Sequence, residues 1–368
     1  MMKKIDWYIF KKFISTFFFS IFLFTVIAVV IDVSEKADDF VQSGLPISKI
    51  ITDYYFGFIP HIVALLFPLF VFISTIFFTS KMAGRSEIIA ILASGTSYAR
   101  WLRPYIVGAV FLAAILWVAN HNVVPNANKV RSAFETVYID GNSSYENLVK
   151  SRNRVASDLY IKVDSNSYAG IYNYDTISKH GGPFFMYKVK RSEVVENRRA
   201  EGISWDVKKK LWRLETVCHR TINGLNETVS YPNEEMMKFE FKPTDLNHDK
   251  YTKDKLTSPE LKHFVELEEK RGTESLNELK VELGRRDATP FAVILLTLIG
   301  AIVSGRRVRG GSGVHMAIGF MTAAAFIIID KFSTVFSTKG NLPPTLAAWM
   351  PNIIFTFVAI AFYRNAPK

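Results

Sequence analysis

Six apolar stretches long enough to cross a bilayer fall in two sets of three around a long polar insert, residues 125–287. A stretch of about 20 apolar residues suffices to span the hydrocarbon core. The stretches lie near residues 13–31, 57–79, 104–124, 288–304, 314–330 and 345–363. A chain of this layout has little choice but a membrane bundle, because each span must satisfy its backbone internally as a helix. The first stretch is too long for the apolar region of a signal peptide. The Ile31-Asp32-Val33-Ser34-Glu35 run after it is no small-residue cleavage site, so it reads as a retained helix. Phe-rich composition agrees, and the polar insert brings the mean hydropathy down to +0.13.

The formal charge of +11 invites a nucleic-acid reading, but its placement argues against one. Lys3, Lys4, Lys11 and Lys12 precede the first stretch. Lys81, Arg85, Arg100 and Arg103 lie between the second and third. Arg306, Arg307 and Arg309 follow the fourth, and Arg364 and Lys368 the sixth. If the helices alternate, all of these fall on one side, with only Asp6 and Glu87 as acids among them. The short loops of the other side carry Asp32, Glu35, Asp38, Asp39 and Asp53 against Lys36 and Lys49. Positive charge gathers on cytoplasmic loops, which puts both termini in the cytoplasm and the insert outside. No nucleic-acid partner is expected.

The insert reads as β structure. Leu159, Ile161 and Val163 alternate with polar neighbours, and the Phe185-Met186-Tyr187-Lys188-Val189 run follows a Gly181-Gly182-Pro183 turn. Residues 203–207 and 211–215 flank the turn Lys208-Lys209-Lys210 as a hairpin. Several short strands at regular spacing favour an antiparallel sandwich or open roll, with Trp205 and Trp212 as core or cross-strand partners rather than a ligand platform. Its open edge would suit docking of another β domain. Ser258-Pro259-Glu260 reads as a helix start capped by Ser258. Gly272 breaks that helix, and Leu276, Leu279 and Leu283 begin a second one, against the sheet or at the membrane surface. Cys218 is the lone cysteine, so no internal disulfide forms. The sequons at Asn142 and Asn226 read as chance matches.

No catalytic constellation emerges. There is no phosphate loop, no His-Glu-x-x-His pair and no Gly-x-Ser-x-Gly elbow, and the seven histidines are scattered. No cofactor or metal is expected, and an intramembrane hydrolase lacks a visible nucleophile and base. Three other features stand out. Residues 85–95, Arg85-Ser86-Glu87-Ile88-Ile89-Ala90-Ile91-Leu92-Ala93-Ser94-Gly95, read as a short apolar helix capped by Ser86, favoured by Glu87 and ended by Gly95. Such a helix either packs under the bundle or in the lipid interface, or couples to a cytoplasmic motor. His61 and Asp330 are ionisable at membrane depth. His61 reads as a polar contact between helices, and Asp330 as an interfacial pair with Lys331. Pro60, Pro68, Pro290, Pro343, Pro344 and Pro351 interrupt the spans, a pattern compatible with helices that splay to admit a lipid.

The chain resembles the LptF/LptG permease subunits of the lipopolysaccharide exporter over nearly its whole length. The resemblance rests on Asp6-Trp7-Tyr8-Ile9, on Arg85-Ser86-Glu87-Ile88 through Ala93-Ser94-Gly95, and on Arg285-Arg286-Asp287-Ala288-Thr289-Pro290-Phe291-Ala292. Leu342-Pro343-Pro344 with Ala348-Trp349-Met350-Pro351-Asn352 completes it. The order and spacing of these motifs carry more weight than any one of them. The resemblance implies a six-helix (3+3) transmembrane bundle with an inserted periplasmic antiparallel β-sandwich or β-jellyroll. Residues 1–124 would hold the first three helices with a coupling helix at about 84–95, residues 125–287 the β domain with its connecting helices, and residues 288–368 the last three helices.

The same resemblance implies an inner-membrane subunit without an ATPase site of its own. A second, homologous permease subunit, a cytoplasmic ABC ATPase dimer, a periplasmic bridge protein and lipopolysaccharide would be its partners. Lipopolysaccharide would leave the outer leaflet through a cavity between the two permeases. Arg85, Ser86, Glu87, Ile88, Ile91 and Gly95 would form the ATPase-coupling segment, with Glu87 its leading contact. Lys36, Arg285 and Arg286 would be candidate headgroup contacts, the arginines equally plain interfacial anchors. Residues 32–39 depart from the family's basic outer end of the first helix, since Lys36 is their only base. A membrane-anchored scaffold or sensor whose β domain binds an envelope partner is the competing reading.

Overall fold

The computed structural model of the protein describes residues 3–139, 159–164, 166–175, 178–191, 193–239, 241, 243, 252–271, 276–306 and 312–366. The Asn142 sequon, His248, Gly272, Arg307, Arg309 and Lys368 lie outside them. The chain divides into two compact units. One joins Met1–Glu135, Lys253–Lys262 and Asn277–Lys368; the other joins Thr136–Thr252 and His263–Leu276.

Six helices of the first unit are long and apolar enough to cross a membrane: Lys4–Glu35, Ile47–Gly84, Tyr98–Phe134, Leu276–Ser304, Met316–Thr338 and Pro344–Arg364, here the first to sixth spans. Most outrun their apolar windows. The third continues past Val124 to Phe134, so a domain boundary at 124/125 would cut a continuous helix. The stretch Leu276 to Leu283 is no separate helix but the opening turns of the fourth span. Charged residues end a hydropathy window without ending a helix, provided the helix finds them partners.

Two apolar clusters build the bundle, and the second span belongs to both. Its Phe67 and Val71 pack with Phe13 and Phe17 of the first span and Tyr105 and Leu112 of the third. Its Phe72 and Ile76 pack with Leu295 and Ile299 of the fourth, Ala323 of the fifth and Phe355 of the sixth. The two sequence halves therefore meet on this helix. Prolines 60, 68, 290 and 351 sit inside continuous helices. Wide π-helical turns at Ile51–Tyr55 and Ala119–Val123 lie about one turn ahead of Pro60 and Pro125. There they can absorb the missing N–H and the clash of the ring with the preceding turn.

The second unit contains one antiparallel eight-stranded sheet among the described residues. Its strands are β1 (Leu159–Lys162), β2 (Ser167–Ile171), β3 (His180–Gly181), β4 (Phe184–Lys190), β5 (Glu193–Asp206), β6 (Leu211–Asn223), β7 (Asn226–Ser230) and β8 (Glu234–Met237). They run β1-β2-β4-β5-β6-β7, with β3 on β5 and β8 on β6. The long strands change partners part-way. β5 pairs with β4 through Ala200 and with β3 from Ile203, while β6 pairs with β8 through Glu215 and with β7 from His219. Between the two partners of β6 sits Thr216 at φ +52°, rare for a β-branched residue. Its N–H bonds Asn233 O, which closes the switch.

The Trp205–Trp212 reading holds. The two residues face each other across the β5–β6 hairpin, with ring centroids 5.1 Å apart. Trp212 is fully buried and donates its indole N–H to Phe241 O at 3.0 Å. Phe184, Met186, Leu214, Val217, Phe239 and Phe241 pack around it; Phe184 and Met186 alternate on β4, as Trp212 and Leu214 do on β6, and the break at Thr216 brings Val217 to the same face. Asn226 opens β7 at the exposed β6–β7 hairpin.

Candidate functional site

Three groups hold the residues singled out by the sequence, all within the helical unit. The first is the short helix Glu87–Ala93 between the second and third spans. Ser86 holds the N-cap position but adopts a left-handed backbone (φ 60°) and makes no side-chain cap bond, so the expected capping geometry is absent. Gly95, at φ +82°, ends the helix as expected, and its N–H bonds Leu92 O. The helix is fastened on one side and open on the other. Ile88 is buried in the bundle core, and Ile91 and Leu92 pack against it. Ile89, Ala90 and Ala93 are exposed. Arg85 and Glu87 form a loose pair at 3.9 Å on the outer side. Close by in sequence, Arg100 at the start of the third span pairs with Asp6 at 3.3 Å. That contact ties the Asp6-Trp7-Tyr8-Ile9 segment to the same end of the bundle.

At the opposite end, where the chain leaves for the insert, Lys36 does not offer its charge to solvent. Its ammonium lies 2.9 Å from Asp32 and 3.6 Å from Glu135, against the Tyr54 ring and hydroxyl. Asp32 is buried, accepting from Tyr54 Oη at 3.0 Å and Tyr55 Oη at 3.1 Å. Consecutive residues of an α-helix point about 100° apart. The wide turn Ile51–Tyr55 lets both tyrosines reach one carboxylate. Arg131 holds Glu135 at 3.3 Å. Gly57 lets this part of the second span approach, since a Cβ there would stand 2.6 Å from both Ala127 O and Arg131 Cβ. Asp32 and Lys36 of the acidic stretch thus serve internal pairing of three spans. As a headgroup contact Lys36 is poorly placed, because two carboxylates already surround it.

The third group lies where the fourth span passes the fifth and the segment 252–258. Arg286 is buried. Its guanidinium donates to Lys253 O (2.9 Å), Leu256 O (2.8 Å) and Ser258 Oγ (3.2 Å) and lies 3.7 Å from Glu282. It is a clip for the returning chain rather than an interfacial anchor. Arg285 is half-buried and bonds Asp330 at 3.1 Å and Thr334 Oγ1 at 2.7 Å. The expected Asp330–Lys331 pair is therefore replaced by a contact between spans, as helix geometry requires of adjacent residues. Helix capping also moves by one residue. Thr257 N–H donates to Glu260 at 2.8 Å, so Thr257 rather than Ser258 holds the cap position, and that bond with Lys129 holds the Glu260 carboxyl below its ordinary range.

The third group borders a cavity of about 580 Å³ between the second, third, fourth, fifth and sixth spans. His61 lines it beside Pro68, as do Arg285, Arg286, Asp330 and Lys331. Two buried asparagines, Asn128 and Asn352, line it as well; sequence reading gave them no role beyond the motif that contains Asn352. An uncharged polar residue carries little signal of its own, whether within an apolar run as Asn352 is or in the polar stretch around Asn128. Among the described residues no group of three or more His, Cys, Asp or Glu side chains is placed to hold a metal ion.

The model of the family "Lipopolysaccharide export system permease LptF/LptG" matches residues 7–365, which covers nearly all of both units and, apart from Asp6, every motif above. The chain belongs to the LptF/LptG family. No curated protein matches it significantly. Family membership makes this LptF/LptG chain a membrane-embedded permease subunit of lipopolysaccharide export, a role that is not itself catalytic.

Proposed function

We propose that this LptF/LptG chain is one of two permease subunits that an ATPase drives to lift lipopolysaccharide out of the outer leaflet of the inner membrane. Uneven covering of the spans carries this reading. The second and fourth spans have 61 % and 67 % of their apolar window buried within the bundle, the first and fifth only 11 % and 17 %. Phe18, Phe19, Phe22 and Ile31 of the first span and Phe320, Met321, Ile328 and Phe336 of the fifth are exposed. Two bare spans on either side of a covered one suit a wall shared with a second, homologous subunit, with the lipid between. Both termini lie in the cytoplasm and the β unit in the periplasm, in keeping with the basic loops. The β unit passes lipid to a periplasmic bridge protein of similar build.

The motor contact is the Arg85–Glu87 side of the short helix. Ile88 fixes the helix to the bundle, so a force applied at Glu87 and Ile89 reaches the second and third spans. The test is Glu87→Lys in the membrane-embedded complex. Its expected result is loss of the co-purifying ATPase with unchanged thermal stability of the permease. ATPase binding and transport at wild-type levels would remove Glu87 from the contact.

A further inference from the structure

The cavity between the second, third, fourth, fifth and sixth spans is lined by this one chain, and its lining changes character along its length. Leu65, Leu69, Ala292, Leu296, Ala323 and Phe326 form an apolar floor. The end toward the insert carries Lys253, Arg285, Arg286 and Lys331 against Asp254, Glu282 and Asp330, four cations to three carboxylates. Burial pushes the Asp254 carboxyl above its ordinary value, which adds to the positive balance. Arg285 and Arg286 have carboxylate partners; for Lys331, which is exposed, no ion pair occurs among the described residues.

Among the described residues, three polar atoms at this end have no hydrogen-bond partner: Asn128 Oδ1, Asn352 Oδ1 and Arg285 Nε. Both asparagines are 3 % exposed, and each is oriented by its own amide N–H, which donates to Asp254 O at 3.1 Å and Ala288 O at 2.7 Å. A buried polar atom without a partner costs about 1–3 kcal/mol, so such atoms point to a missing ligand. Water would satisfy the polar end, but over the apolar floor it would lack the two to four partners a buried water needs. The volume falls within the range of about 300–1,000 Å³ usual for small-ligand sites. It is far below what a many-chained glycolipid fills.

We propose that this cavity holds one acyl chain and the phosphodiester of a single membrane phospholipid, whose second chain stays in the bilayer. One acyl chain runs along the Leu69–Ala292–Phe326 floor. The phosphodiester sits by Lys331 and Arg285 Nε, and a headgroup hydroxyl or amine donates to Asn352 or Asn128. The site's apolar floor stands apart from the wall proposed for the exported lipid, while Lys331 lies one turn from Ile328 of that wall. The site rests on the six spans and not on the motor or on the cargo.

The test uses the full complex in nanodiscs of phosphatidylethanolamine and phosphatidylglycerol, with a photoreactive residue in place of Leu69. The expected adduct has the mass of one phospholipid. It is lost in Ala292→Phe, which fills the floor, while an adduct formed from Phe22 on the bare first span persists. Lys331→Gln, at an exposed position that cannot unfold the bundle, lowers the phosphatidylglycerol share of the Leu69 adduct. That variant decides the matter should Ala292→Phe fail to fold. No adduct at Leu69 would overturn the proposal. So would an adduct indifferent to Ala292→Phe in a folded complex, or one carrying lipopolysaccharide instead of phospholipid.

Discussion

Replacing Arg286 by alanine separates two roles that its sequence position leaves open, headgroup contact and internal clip. Its side chain is 5 % exposed beside Glu282 and donates to two backbone carbonyls and a hydroxyl of the segment 253–258. Hydrogen bonds from a charged donor are each worth about 1.5–3 kcal/mol and do not sum. Removing one partner of a buried, paired charge costs about 3–5 kcal/mol, much of it from the groups left behind. Arg286→Ala should therefore destabilise the helical unit by about 3–5 kcal/mol. Arg286→Lys should lose roughly half of that, because an ammonium cannot reproduce a fork that reaches Lys253 O and Leu256 O together. Thermal unfolding of the purified protein measures the cost, and limited proteolysis near residues 252–262 reports release of the segment. A loss under about 1 kcal/mol with unchanged proteolysis would refute the clip. A fall in lipid binding at full stability would restore the headgroup role.

Other perturbations test the remaining contacts. Asp32→Ala leaves Lys36 and two tyrosine hydroxyls without their shared acceptor and should cost about 3 kcal/mol, against about 1 kcal/mol for Tyr55→Phe. Equal small losses in denaturation would contradict the network. Trp212→Ala empties the centre of the β core and should cost about 3–5 kcal/mol, with loss of near-ultraviolet dichroism, while half-buried Trp205→Ala costs less. The Glu260 carboxyl is held below its ordinary 4.5 chiefly by the Thr257 N–H and then by Lys129. Its stabilisation is complete above about pH 4.5 and is lost as the pH falls through the depressed folded-state value. Glu260→Gln should remove that acid-limb slope and cost up to about 1 kcal/mol at neutral pH. A pH–stability profile parallel to wild type would refute it.

The spans and the β hairpin were legible because they depend on local periodicity: apolar runs of bilayer length, and alternation around Lys208-Lys209-Lys210. What sequence reading missed depends on partners distant along the chain. Asp32 looks like surplus acid until the wide turn at Ile51–Tyr55 brings two tyrosines onto it. Arg285-Arg286-Asp287 looks like the end of a span, because hydropathy counts charges without seeing that carbonyls of a returning segment take up the donors of Arg286 beside Glu282. Asp330 beside Lys331 looks like a pair, although adjacent helical residues diverge and Arg285 is the partner across the helices. Ser86 has a capping side chain at the right position, but its left-handed backbone takes the hydroxyl out of capping geometry. The short helix after the second span was visible as a pattern, while its division into buried Ile88 and exposed Ile89 was not.

The permease account is tested most directly by site-specific photo-crosslinking in the native membrane from Phe22 of the first span and Ile328 of the fifth. Both lie on the bare faces assigned to the shared wall. Lipopolysaccharide adducts at both positions that diminish when the ATPase is energised with ATP are the predicted result. Adducts of ordinary phospholipid alone, unchanged by ATP, would contradict the account and favour a membrane-anchored scaffold.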